Sequence, residues 1–184
     1  MAIVGGSGGA ASGAAGGDLT GTYPNPTIVP GKGGYIGYML IQDIKAANTG
    51  GGTFTSGAYR TRTLTTEVTD THSDVVLAAN QLTFTAGVYN CSILCPAFFV
   101  DYNSARLYNV TDAAVLLPST NGYTNGSGAG TAWVTIVGQF TIAAAKAVEV
   151  QHICATTRAS NGFGVETNLG VSEIYTSAEF WRVS

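Results

Sequence analysis

From Tyr35 onward, apolar and polar positions alternate in short runs separated by turn residues. The clearest run is 132–142, where Val134, Ile136, Gly138, Phe140 and Ile142 share one face and Thr135, Gln139 and Thr141 the other. That period of two predicts a half-buried β-strand. Tyr38–Ile44, Thr61–Val68, Leu82–Thr85, Val88–Leu94, Ala105–Val110, Ala147–Ala155 and Ile174–Val183 read the same way, and Cys95-Pro96 marks an edge or a strand end. Thr-, Gly- and Asn-rich stretches at 118–131 and 158–170 read as long loops. The one helix candidate, Ala143–Ala147, is too short to persist. About eight short strands without crossover helices predict an antiparallel all-β sandwich or barrel, here a jelly roll.

Two strands carry apolar residues on both faces. In the first, Val148, Val150 and His152 oppose Ile153; in the second, Tyr175, Trp181 and Val183 oppose Ile174, Ala178 and Phe180. A sandwich strand needs one buried face only, so the second face predicts subunit contact. On this reading Tyr175, Phe180 and Trp181 are the interface candidates.

Residues 1–34 follow no such pattern and read as a separate extended stem before a head at 35–184. Positions 5–17 hold only Gly, Ala and Ser, which cannot offset their ordering entropy alone. The glycines break the three-residue register that collagen requires. In the following segment Pro24 and Pro26 push their preceding residues toward extended geometry and exclude a helix.

Composition strengthens the assembly reading. Only 10% of the 184 residues are charged, against roughly 25% in an ordinary soluble domain, while 45% are hydrophobic. A lone protomer of this kind lacks the charge that keeps a monomer dispersed, which predicts an obligate oligomer. The net charge of −3 offers nothing to grip phosphates, so nucleic acid is an improbable partner. No apolar stretch approaches the ~18 residues of a membrane span, and no basic region precedes a hydrophobic block at the N-terminus, so the chain reads as soluble and unprocessed.

The chemistry of an enzyme is sparse. Asp70-Thr71-His72-Ser73-Asp74 contains the residue types of a hydrolytic triad, but adjacency is not convergence, and the segment reads as a polar loop. His152 reads as a satisfied core or interface histidine, and two distant histidines give a metal site little to build on. Glu149, Glu166, Glu173 and Glu179 are scattered, which disfavours the paired carboxylates of a glycosidase. Catalytic residues, metals and cofactors are therefore expected to be none. Cys91 and Cys95, four apart on one strand, would stand ~13 Å apart and cannot bridge. With Cys154 they read as reduced, buried thiols, and as a sign of assembly in a cytoplasm. The sequons at Asn90, Asn109 and Asn125 are expected by chance in so Asn- and Thr-rich a chain.

Two passages carry a resemblance. Gly16-Gly17-Asp18-Leu19-Thr20-Gly21-Thr22-Tyr23-Pro24-Asn25-Pro26-Thr27-Ile28 resembles an element recurrent in phage tail-fibre and related virion proteins. The remainder is similar to the C-terminal heads of such fibres, and so to the C1q and tumour-necrosis-factor jelly rolls. Its landmarks are Gly52–Arg62, Phe84–Tyr89, Ala105–Asp112, Gly138–Ile142, Val148–His152, Gly162–Gly164, Glu173–Thr176 and Phe180–Val183. The resemblance implies a homotrimeric, non-enzymatic virion fibre or spike, assembled in the host cytoplasm and used for attachment. Asp18, Leu19, Tyr23, Pro24, Asn25, Pro26 and Ile28 would anchor the stem to another virion protein. Tyr123, Asn125, Asn161 and Phe163 would be loop groups facing a host glycan or protein, and the two aromatics could stack on a sugar ring. The alternative is a structural capsid decoration or tail-tip protein without a ligand, with a polysaccharide depolymerase less favoured. The stem is shorter than those of long fibres, which favours a short spike or knob.

Overall fold

The computed structural model describes residues 12–17, 19–28, 34–125 and 130–184, and no helix forms among them. The chain divides into two units, Met1–Tyr35 and Ile36–Ser184.

In the first unit, β1 (Gly13–Ala14) pairs with β3 (Thr22–Tyr23), and β2 (Leu19–Thr20) pairs with β4 (Thr27–Ile28), both antiparallel. The segment thus doubles back within one chain where an extended stem is expected. The turn closes through the Asn25 N–H donating to the Thr22 carbonyl at 3.2 Å, and the Ala15 N–H to that of Gly21 at 3.0 Å. These two-residue ladders bury no side chain; Ile28 remains 57% exposed.

The second unit is an antiparallel jelly-roll sandwich. Its strands are β5 (Gly37–Lys45), β6 (Arg60–Thr61), β7 (Thr66–Asp70), β8 (Val75–Ala78), β9 (Gln81–Phe84) and β10 (Gly87–Phe98), followed by β11 (Asp101–Asn109), β12 (Ala114–Thr124), β13 (Thr131–Ile142), β14 (Lys146–Cys154) and β15 (Glu173–Arg182). One sheet runs β13-β10-β15-β5-β7; the other runs β12-β11-β14-β9-β8, with β6 added to β14. Alternation puts Met39, Ile41, Cys91, Ile93, Val134, Ile136 and Phe180 of the first sheet against Leu82, Phe84, Leu107, Val148 and Val150 of the second. Phe84 sits edge-on to Tyr89, Phe140 and Phe180 at centroid distances of 5.0, 5.6 and 4.9 Å, the arrangement that ring quadrupoles favour.

Four sequence expectations change here. Among its described residues the stretch 118–131 is mostly strand, since β12 runs through Pro118 to Thr124. Its turn-like composition misleads because β12 is an edge strand, where proline's missing N–H costs no ladder bond. β10 likewise continues past Pro96 to Phe98; its ladder with β15 stops at Leu94, leaving Pro96 paired with β13 alone. The single strand expected over 61–68 is two, β6 on one sheet and β7 on the other. Between them the chain crosses the sandwich, taking Arg62 and Leu64 inside.

The last correction concerns β15. A register shift between Ile174 and Ser177 flips the alternation, so Tyr175, Ala178 and Phe180 all point inward. Tyr175 and Phe180 therefore leave the interface set. They are 4% and 0% exposed and spent on the protomer's own interior. Trp181, half-buried against Tyr38 at 5.8 Å, stays on the outer face.

Candidate functional site

The expected ligand-contact residues separate. Asp18 of the anchor element lies outside the described residues, as do positions 126–129 of the stretch expected as a loop. Leu19, Tyr23 and Pro26 are half-buried, and Pro24, Asn25 and Ile28 exposed. Phe163 is not a surface group: it is 7% exposed and stacks on Phe54 at 4.3 Å. Asn161 accepts from Arg158 Nε at 3.0 Å, which holds the same loop. Gly164 fits only as glycine, because at φ +143° an added Cβ would lie 2.2 Å from the Tyr175 ring. Tyr123 sits on β12, 58% exposed, and Asn125 directly follows that strand.

Sequence reasoning missed the buried polar cluster behind Phe163. Arg62 is fully enclosed and donates to the Pro96 carbonyl (2.9 Å), the Phe163 carbonyl (3.0 Å) and Thr176 Oγ1 (2.8 Å). Its guanidinium also lies over the Phe163 ring at 4.4 Å and 3.5 Å from His152 Nδ1. His152, itself 0% exposed, reaches Asn103 Oδ1 with Nε2 at 3.0 Å. The consistent assignment is a neutral imidazole, Nδ1 accepting from Arg62 and Nε2–H donating to Asn103. The cluster ties the 50–62 and 158–164 segments to β10, β14 and β15.

Burial and then the Arg62 charge push the His152 pKa well below its usual value. The unfolded chain takes up this proton near pH 6.5 and the folded chain does not. The contribution is thus fully present above that pH and is lost as pH falls through and below it, at up to ~1.4 kcal/mol per pH unit. Asp43, whose carboxyl burial raises, works in the opposite direction at lower pH. Urea midpoints measured from pH 7 to pH 5 are expected to fall more steeply for the wild type than for His152→Gln.

Most other candidate chemistry does not converge. Of the four glutamates only Glu173 and Glu166 lie together near the Tyr175 hydroxyl, which burial and then their charges push up to about 12. Asp70 accepts from the His72 and Val75 backbone N–H groups, and Asp74 forms an ion pair with Arg182, so the Asp-His-Ser segment braces its own loop. Glu149 and Glu179 lie on different sheets. Glu173 is buried and accepts from the Thr167 N–H at 3.1 Å. Among the described residues no group of three His, Cys, Asp or Glu could hold a metal ion. The three cysteines are free and buried; burial pushes Cys91 up to about 12 and Cys95 and Cys154 to about 11, which leaves inert thiols.

What remains are the two outward faces. On the five-stranded sheet, cross-strand rows read Gln139–Asn90–Trp181–Tyr38, Val137–Ser92–Glu179–Leu40 and Thr135–Leu94–Ser177–Gln42. Glu179 is the lone charge in these rows, and it accepts from the Tyr38 hydroxyl at 3.0 Å. Val137 is 66% exposed, Trp133 51%, Ile174 50% and Leu94 38%, apolar side chains left open among the neutral polar groups of this face. Near its end, Trp133, Val165 and Ile174 line a concavity of about 410 Å³.

The six-stranded sheet is different. Along β11, Tyr102, Ser104, Arg106 and Tyr108 point outward. Arg106 lies between the rings of Tyr59 (3.6 Å) and Tyr108 (4.3 Å) and is held by Gln151 Oε1 at 2.8 Å. Burial alone would raise the Glu149 carboxyl, but hydrogen bonds from Gln151, Gln81 and Thr61 hold it below the usual range. At the other end of the strand a groove of about 610 Å³ opens beside Tyr102 and Tyr123.

Neither a sequence-family profile nor a curated protein matches the chain. Among solved structures, murine APRIL at pH 5.0 is similar at a TM-score of 0.50 and 8% identity, covering 79% of this chain and 98% of that one. The globular domain of zebrafish complement 1qA protein follows at 0.47 and 10%, covering 79% and 94%. PRD1 vertex protein P5 stands at 0.46 and 10%, covering 83% and 100%. At such identity the likeness to APRIL establishes the jelly-roll fold and nothing of function.

Proposed function

We propose that this chain is a homotrimeric, non-enzymatic virion spike that attaches the particle to a host surface. The observation that carries the reading is the outer face of the five-stranded sheet, where Val137, Trp133, Ile174 and Leu94 are exposed among neutral polar groups and Glu179 is the one charge in the three rows. An exposed face of that kind is what a monomer avoids and a subunit contact uses. Two identical neighbours around an axis would cover it. The Gly16–Ile28 element, similar to one in fibre proteins, would anchor the stem through Leu19, Tyr23, Pro24, Asn25, Pro26 and Ile28, together with Asp18. Three heads on one stem would convert feeble single contacts into firm attachment.

Light scattering on the purified chain is expected to give a mass near three times 18.8 kDa, and a stable monomer would refute the reading. Attachment is separated from ligand-free decoration by labelling. Fluorescent trimer should stain host cells and block infection, whereas particles made fragile by loss of the protein, with unstained cells, would point to decoration.

A further inference from the structure

We infer that the outward face of the six-stranded sheet holds a groove for a neutral saccharide, with Tyr102 and Tyr123 as its stacking platform. The two tyrosines are direct cross-strand partners on β11 and β12, with ring centroids 4.9 Å apart. They are 71% and 58% exposed, so two adjoining aromatic surfaces are left to water on regular strands. Aromatic rings so placed are usually buried in a core or kept open for a partner.

The lining decides what partner. Beside the rings stand Ile153, Asn103, Ser104 and Asn121, and no Asp, Glu, Lys or Arg enters the wall. Cys154, also in the wall, is a neutral thiol. An ionic ligand would find no counter-charge, so phosphates, acidic sugars and charged peptides are disfavoured. A purely apolar ligand would cover the amide of Asn121, which has no side-chain hydrogen bond among the described residues, and would leave it unsatisfied. A neutral sugar suits both features. Its C–H face can lie on the rings, and its hydroxyls can exchange hydrogen bonds with the Asn121 amide and the phenol groups. The groove's volume of about 610 Å³ is within the range of small-ligand sites. Mounted on paired strands, the platform is pre-organised, so little ordering cost falls on binding. It also lies on the sheet opposite the face assigned to subunit contact, leaving one groove open per head.

The biological use of the groove rests on the attachment reading, but sugar binding itself does not. The test is calorimetric titration of the full chain with neutral tetrasaccharides built from glucose, galactose, mannose and N-acetylglucosamine. At least one is expected to bind, with Tyr102→Ala/Tyr123→Ala weakening it by about tenfold or more and Asn121→Ala by less. Both changes are at exposed positions, so melting should be unaltered. Binding to none of the four, or undiminished binding by the double variant, overturns the inference. So does a double variant that falls from trimer to monomer, because the groove would then be a subunit contact. A wild type that is monomeric yet binds sugar overturns the trimer and supports the groove.

Discussion

Replacing Arg62 with alanine is expected to destabilise the head by roughly 3–5 kcal/mol, read as a large drop in the urea midpoint. The guanidinium serves the carbonyls of Pro96 and Phe163, the Thr176 hydroxyl and the His152 ring at once. Its loss leaves these acceptors buried with nothing to replace water. It also removes a positive charge that helps offset burial of the Asp43 carboxyl, which is 1% exposed. Arg62→Met separates this account from mere volume loss. The thioether refills the space but donates nothing, so it should recover little stability. A methionine variant as stable as wild type would mean the site wants bulk alone. Against a total of ~5–15 kcal/mol for a typical domain, the alanine change is expected to leave little folded protein on warming.

Leu94→Glu combined with Val137→Glu is expected to convert the proposed trimer to monomers without unfolding them. Both side chains are exposed on the protomer, so the isolated sandwich should tolerate them. In the assembly each would bury a carboxylate on a face whose three central cross-strand rows hold only Glu179 as a charge. An unpaired buried charge costs several kcal/mol, and the cost would recur in every subunit. Light scattering should show the mass fall to 18.8 kDa with an unchanged far-ultraviolet spectrum. Val76→Glu, on β8 of the other sheet and 62% exposed, should leave the mass intact. If the double variant stays trimeric, subunits meet elsewhere.

The legible parts were those in which local pattern and tertiary environment agree. The alternation of Val134, Ile136, Phe140 and Ile142 marked β13 and its buried face, and the spacing of Cys91 and Cys95 ruled out their disulfide. His152 could be read as a core histidine because it stands among inward Val148 and Val150. β12 was hidden, since Pro118, Asn121 and Gly122 are turn residues that an edge strand also accepts. The bulge in β15 was hidden too, and with it the inward turn of Tyr175 and Phe180, which ideal alternation puts on opposite faces.

The candidate site divides along the same line. Tyr123 was visible as an aromatic in a polar stretch, but Tyr102 was not, because nothing local says that residues 21 apart face each other across two strands. Arg62 lay inside an apparent Thr-rich strand, and its enclosure follows only from the crossing between sheets. Sequence by itself determined the all-β class, the differing character of residues 1–34 and the shortage of charge, since period, composition and charge are properties of neighbours along the chain. Tertiary structure alone decided which apolar side chains the protomer spends on its own core and which it leaves outward, because burial depends on register and bulges set by contacts between distant strands.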